Sequence, residues 1–245
     1  MSSSGPGPLP TAADLPARRE QLERNIADVR GRIAAACRSA GRDPGEVHLV
    51  AVTKTFPASD VRLLADLGVR DIGENRDQEA REKVAACADL DLTWHFVGQL
   101  QTNKARSVAE YAAVVHSVDR RSLVRALGRA RADAAEPLRC LVQVSLDDRP
   151  GRGGAAPDDV PDLAAAIADT DGLVLGGVMA VAPLDAAPEP AFERLAAVAA
   201  EVRSRHADAT WISAGMSDDL EAAVGIGATH VRIGRGLLGV RPDSR

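Results

Sequence analysis

Eight short, β-prone apolar runs separated by helical stretches constrain this chain more than any other feature. They are His48–Thr53, Asp71–Gly73, Trp94–Val97, Val114–Ser117, Arg139–Ser145, Leu173–Met179, Thr210–Ser213 and His230–Ile233. Helical periodicity fills the intervals at Ala58–Leu67, Asp158–Ala168, Ala191–His206 and Asp218–Val224. Alternating β and α units predict a parallel sheet. The strand bodies read as near-continuous Val, Leu, Ile and Ala, as expected of strands covered on both faces. Eight units in about 200 residues match a (β/α)8 TIM barrel at the short end of its range. A doubly wound open sheet is the alternative, and the strand count favours the barrel. Upstream, Leu22, Ile26, Val29, Ile33 and Cys37 recur at helical spacing, which predicts an extra N-terminal helix from Ala12 or Leu15 to about Gly41. The domain reading is a disordered Ser/Gly/Pro-rich lead-in over 1–14, a single α/β barrel over 15–240 and a short tail over 241–245.

Charge and composition exclude several classes. With 30 basic against 35 acidic residues the chain lacks the basic field of a nucleic-acid binder, and 2% aromatics leave little for base stacking. No apolar run reaches the roughly 18 to 20 residues that span a bilayer. The N-terminus has neither an apolar signal core nor an Arg-rich transit pattern, so a cytoplasmic protein is expected. Cys37, Cys87 and Cys140 are too few and too scattered for a disulfide framework, and no Cys/His spacing predicts a metal. Arg18, Arg19, Glu20 and Glu23 read as a solvated helix face.

In a barrel of this kind the chemistry sits where the strands end. Polar and glycine residues cluster there: Thr53-Lys54-Thr55, Gly73-Glu74-Asn75, Ser213-Ala214-Gly215-Met216-Ser217 and Gly234-Arg235-Gly236. Lys54 stands at the mouth of the first strand, placed for partial burial. A desolvated amine loses its proton more readily and can attack an aldehyde. A side chain that snorkels to solvent is the other reading that position alone leaves open. The loops after the seventh and eighth strands are the usual phosphate site of such barrels, with Ser217 as the expected N-cap of the following helix. An amine facing a phosphate cradle across one mouth describes a site for a phosphorylated aldehyde or ketone, most simply pyridoxal 5′-phosphate (PLP).

At these residues the sequence resembles the YggS/PROSC family of PLP-binding, or PLP-homeostasis, proteins. The matching segments are Ala51–Pro57 (AVTKTFP), Gly73–Glu79 (GENRDQE), Trp94–Lys104 (WHFVGQLQTNK), His116–Arg120 (HSVDR) and Ser213–Gly239. The resemblance implies the alanine-racemase-type barrel, fold type III of PLP proteins. It implies that Lys54 holds PLP as a Schiff base, that Ser213, Gly215, Gly234 and Arg235 belong to the phosphate cradle, and that Met216 is also cofactor-binding. It places Arg232 near the phosphate or the pyridine ring, with Asn75 and His95 lining the ring pocket. It further implies a role in vitamin B6 homeostasis as carrier, buffer or regulator, without established turnover. The partners it suggests are PLP itself and apo PLP-enzymes as recipients, with the protein a monomer or weak homodimer. Two departures occur: Arg76 stands where the family has Tyr, and Ser145 where it has Asn.

The rival on the same barrel is a PLP-dependent amino-acid racemase, which needs a base on each face of the substrate carbon. Tyr111 is the chain's one tyrosine. It falls in a helical stretch leading into the fourth strand, which approaches the barrel from the wrong end; Cys140 begins the fifth strand and is likewise misplaced. A third reading, an aldolase-like barrel using Lys54 as a catalytic amine, rests on analogy alone. No residue is assigned a catalytic role.

Overall fold

The computed structural model of the chain describes residues 15–147, 153–183 and 185–239. The expected lead-in over 1–14 and tail over 241–245 lie outside the described residues. Strands β1 (His48–Val52), β2 (Asp71–Glu74), β3 (Thr93–Phe96), β4 (Val114–Val118), β5 (Leu138–Gln143), β6 (Leu173–Met179), β7 (Trp211–Ser213) and β8 (His230–Ile233) pair in sequence order, all parallel. The ring closes between β1 and β8, in register from His48 opposite His230 to Ala51 opposite Ile233. That closure excludes the open doubly wound sheet.

Helices cover the outside: α2 (Ala58–Asp66), α3 (Asp77–Ala86), α4 (Ala105–Tyr111), α5 (Arg121–Arg131), α6 (Val160–Ala168), α7 (Pro188–Arg205), α8 (Leu220–Gly225) and α9 (Arg235–Leu238). The extra helix α1 (Leu15–Ser39) buries Leu22, Ile26, Val29, Ile33 and Cys37, the stripe expected from their spacing. Gly41 follows at φ +66°, a left-handed stop that glycine adopts without a Cβ penalty. Side chains then bind α1 to the last helices. Asn25 Nδ2 donates to the Leu237 carbonyl at 2.6 Å and Arg18 Nη2 to the Leu238 carbonyl at 3.1 Å. Arg18 is thus not part of a solvated face. Its guanidinium also grips Asp60 at 2.6 Å, because burying that carboxylate requires a paired cation.

The barrel has two chemically different layers. Between sheet and helices lies an apolar shell including Phe96, Leu127, Val142 and Phe192 on one side and Leu22, Ala51, Ile72 and Val231 on the other. The lumen is polar. Strands β3 (Thr-Trp-His-Phe) and β8 (His-Val-Arg-Ile) alternate, so the expectation of plain Val, Leu, Ile and Ala bodies fails there. The outward residues of these strands meet the helices, while their inward His95, His230 and Arg232 meet one another's neighbours across the lumen.

Candidate functional site

Strand β1 ends at Val52, and residues 53–57 turn outward to start α2. This turn leaves Lys54 exposed at the rim rather than half-buried as expected. The turn is held firmly on both sides of Lys54. Thr53 Oγ1 donates to Glu74 Oε1 at 2.5 Å, and Lys83 Nζ, itself buried, bonds the Thr53 carbonyl at 2.7 Å and Glu74 Oε1 at 2.6 Å. Beyond Lys54, the Thr55 amide donates to Glu79 Oε1 at 2.5 Å, with Thr55 at φ +69°, a conformation that side-chain-bearing residues avoid. Burial raises the Glu74 carboxyl above its ordinary value, although Lys83 and the Thr53 hydroxyl pull the other way. Sequence reasoning missed Lys83, Glu74 and Glu79 as supports. Their one sequence signal is the Glu79/Lys83 pair at i,i+4, which commonly marks a solvent-exposed helix face.

The loops after β7 and β8 are built from main chain. Gly215 sits at φ +91°, and a Cβ there would come within 2.7 Å of Ala223 Cβ. The Met216 amide donates to Asp219 Oδ1 at 2.5 Å. Ser217 does not cap α8, whose N-cap is Asp219; its hydroxyl instead accepts from the Gly236 amide at 3.0 Å and ties the two loops together. Arg235 pairs with Asp218 at the exposed surface. A Cβ on Gly234 would stand 3.4 Å from the Val52 carbonyl. Closure makes β8 the neighbour of β1, so amine and loops lie side by side on one arc of the rim, not across the mouth.

Beneath the rim, buried side chains link in series. Arg232 donates from Nη1 to Ser213 Oγ at 2.6 Å and from Nη2 to the Ala180 carbonyl at 2.8 Å. Ser213 Oγ lies 2.9 Å from His116 Nδ1, and His116 Nε2 lies 2.9 Å from His95 Nδ1. His95 Nε2 meets Asp71 Oδ1 at 2.9 Å. Strands β4 and β7 are not neighbours, so the His116–Ser213 bond crosses the lumen. Burial pushes the Arg232 guanidinium down to about 10 and, with the Arg232 charge, drives His116 well below its ordinary value. Two expected site residues are therefore placed otherwise than foreseen. Ser213 turns its hydroxyl into the lumen, and His95 points toward the N-terminal end of the strands and reaches the mouth only through His116.

At the C-terminal ends of β2 and β4, Asn75 Oδ1 and Ser117 Oγ are buried without a hydrogen-bond partner among the described residues. Such atoms cost free energy unless something meets them. Gly98 packs so tightly on Asn75 that a Cβ would fall 2.3 Å from its carbonyl oxygen, which fixes the Asn75 backbone at the mouth. Of the two departures, Arg76 is exposed ahead of α3, and Ser145 Oγ donates to the Asp147 carbonyl at 2.8 Å.

The family model described as "Alanine racemase, N-terminal domain" matches residues 19–242. A pyridoxal phosphate homeostasis protein of Mycobacterium tuberculosis is 45% identical over 252 residues, covering 94% of this chain and 98% of its own. The chain belongs to the family of pyridoxal phosphate homeostasis proteins. Among solved structures of similar fold is PipY of Synechococcus elongatus with PLP bound. It is 33% identical with a TM-score of 0.78, over 89% of this chain and all of PipY. Alanine racemase of Corynebacterium glutamicum shares the fold at 13% identity and a TM-score of 0.68, but this chain covers only 62% of it. The homeostasis relatives thus match most of both chains, whereas the racemase likeness is one of barrel alone. The residues present fit PLP: an exposed amine, glycine loops beside it, an arginine below, and unpartnered Asn75 and Ser117 oxygens at the mouth.

Proposed function

We propose that this protein binds PLP through Lys54 and serves in intracellular vitamin B6 homeostasis as a carrier, buffer or regulator. The observation that carries the reading is the Lys54 amine, exposed on a turn clamped by Glu74, Glu79 and Lys83, directly beside the glycine loops of β7 and β8. When bound, PLP supplies an aldehyde for that amine and a phosphate anion for the loops. Glu79 and Lys83 hold the main chain on either side of Lys54 so that its side chain alone moves. Gly215, Met216, Gly234 and Arg235 surround the phosphate, Asn75 reaches the ring, and Arg232 presents its cation from below. A cation at the pyridine nitrogen opposes ring protonation and so weakens the electron sink that amino-acid chemistry uses.

A holding role without turnover is supported by the two candidate second bases among the described residues, Tyr111 and Cys140, being buried. Tyr111 ends α4, packed against the helix-facing core, and its buried hydroxyl is pushed well above its ordinary value by burial and by the charges of Asp77 and Glu74. Cys140 is fully buried, its thiol pushed up to about 12 by burial. We place the protein in the cytoplasm as a monomer or weak homodimer, with apo PLP-enzymes as recipients. No helix among the described residues is long and apolar enough to cross a membrane.

The test is covalent capture. Purified protein given PLP should turn yellow, and borohydride should fix the cofactor to Lys54. Lys54→Ala should lose both the colour and the covalent adduct. Retention of the adduct by that variant at unchanged occupancy overturns the reading. D-amino acid formation at roughly 10 per second, an ordinary enzyme rate, overturns the absence of turnover.

A further inference from the structure

The five-residue series in the lumen has only one direction in which every link is filled with neutral rings. Arg232 can only donate. The Asp71 carboxylate can only accept; burial alone would raise it, but the hydrogen bond from His95 carries it below its ordinary value. Between these ends the protons are fixed. The Ser213 hydroxyl accepts from Arg232 and gives its own proton to His116 Nδ1. His116 gives its Nε2 proton to His95 Nδ1, and His95 gives its Nε2 proton to Asp71. Four links take four protons. If Ser213 turned its proton toward the mouth, both imidazoles would have to exchange tautomers and the bond to Asp71 would fail, or one ring would have to carry a positive charge. Ser213 and His116 are fully buried and His95 is 1% exposed, so no water replaces a broken link cheaply.

Asp71 stands at the first residue of β2, on the face of the barrel opposite Lys54. It is 28% exposed and borders a recess of about 530 Å³ with His48, Arg70, Pro44 and Arg30. The rings around it are packed: His48 stacks on His230 at 4.9 Å, and Trp211 lies 3.9 Å from His230. We propose that Asp71, with His95, is a positioning residue for the cofactor site, fixing through His116 and Ser213 the orientation of Arg232 and withholding the Ser213 hydroxyl proton from the phosphate. It acts from the far end of the barrel without touching the ligand. The proposal rests on the reading that Arg232 faces bound PLP.

Asp71→Asn keeps the size but lets its amide donate, so the series can reverse and free the Ser213 proton. The holo-protein of this variant should show a shifted visible absorption maximum and a dissociation constant for PLP lowered about tenfold, as the freed hydroxyl gives the phosphate a further donor, within the ordinary range of couplings between separated sites. Asp71→Glu, which restores an acceptor-only end, should recover the wild-type maximum. A wild-type spectrum and a PLP affinity within twofold in Asp71→Asn, even with lowered thermal stability, overturn the proposal. Nitrogen-15 spectra of the unmutated protein test the same idea without a variant. His95 and His116 should both be neutral Nε2–H tautomers, and added PLP should move their ring resonances, since coupling is reciprocal. An Nδ1–H tautomer at His116, or rings that ignore saturating PLP, would refute it. If wild-type protein binds no PLP, the proposed function fails, while the tautomers still report on the series itself.

Discussion

The shell and the lumen of this barrel are made from the same strands and held together by opposite means. In the shell, Leu, Val, Ala and Phe fill space between sheet and helices, and the forces are non-directional. In the lumen, Asp71, His95, His116, Ser213 and Arg232 are joined by hydrogen bonds whose direction is set at both ends. Three of the chain's five histidines, His95, His116 and His230, are buried in this inner layer, and the exposed His48 stacks on His230. The difference teaches where specificity resides. A shell residue can be exchanged for another of similar volume, whereas a lumen residue is constrained in donor, acceptor and tautomer at once.

The contrast can be broken most forcefully from the shell side. Phe192 is fully buried in α7. Phe192→Ala should cost about 3–5 kcal/mol in chemical denaturation while leaving the holo-protein's colour unchanged. A changed spectrum would mean that the layers are not separable. Acid should act on the lumen. Burial holds His116 far below its ordinary value and His230 at about 3. Below about pH 6.5 the unfolded chain protonates both rings and the folded chain does not. Stability should therefore be full above that pH and lost on acidification, by about 3 kcal/mol between pH 7.5 and 5.5 for the two rings together. Melting temperatures across that range check it, and a flat profile would show that the rings take up protons in the folded state. The smallest effect belongs to neither layer. Arg32 and Glu221 pair at 2.7 Å on the outside, both partly exposed. Arg32→Ala should cost about 0.2–1 kcal/mol, less at high salt.

The fold was legible wherever a run of apolar residues was long enough to declare itself. Strands β6 and β8 have the bounds their sequence runs suggest, and the α1 stripe is buried as spaced. Ends were less legible: β1 stops at Val52 and β7 begins only at Trp211, because a hydrophobic run marks the centre of a strand and pairing decides its limits. Helix α3 is charge-rich and buries only Ala80 and Lys83, so it offers little apolar period to read. At the site, Lys54 and the glycine loops were legible because each lies in one local segment. The buried cluster under Lys54 was not, since Lys83 reads as a surface lysine until Glu74 and the Thr53 carbonyl are brought to it. The lumen series was hidden for the same reason. Its His116–Ser213 link joins residues 97 positions apart, and nothing local to either predicts the other.

Asn25 and Arg18 find their carbonyl partners 212 and 220 positions downstream, and β1 finds half of its ladder in β8. During synthesis the apolar stripe of α1 is therefore made well before the elements that cover it. A nascent chain carries Leu22, Ile26 and Val29 without their final neighbours until the closing strand and helix emerge, so the ring cannot close before β8 has left the ribosome. Contacts of such long sequence separation make for slow folding and a long window in which a chaperone would be useful.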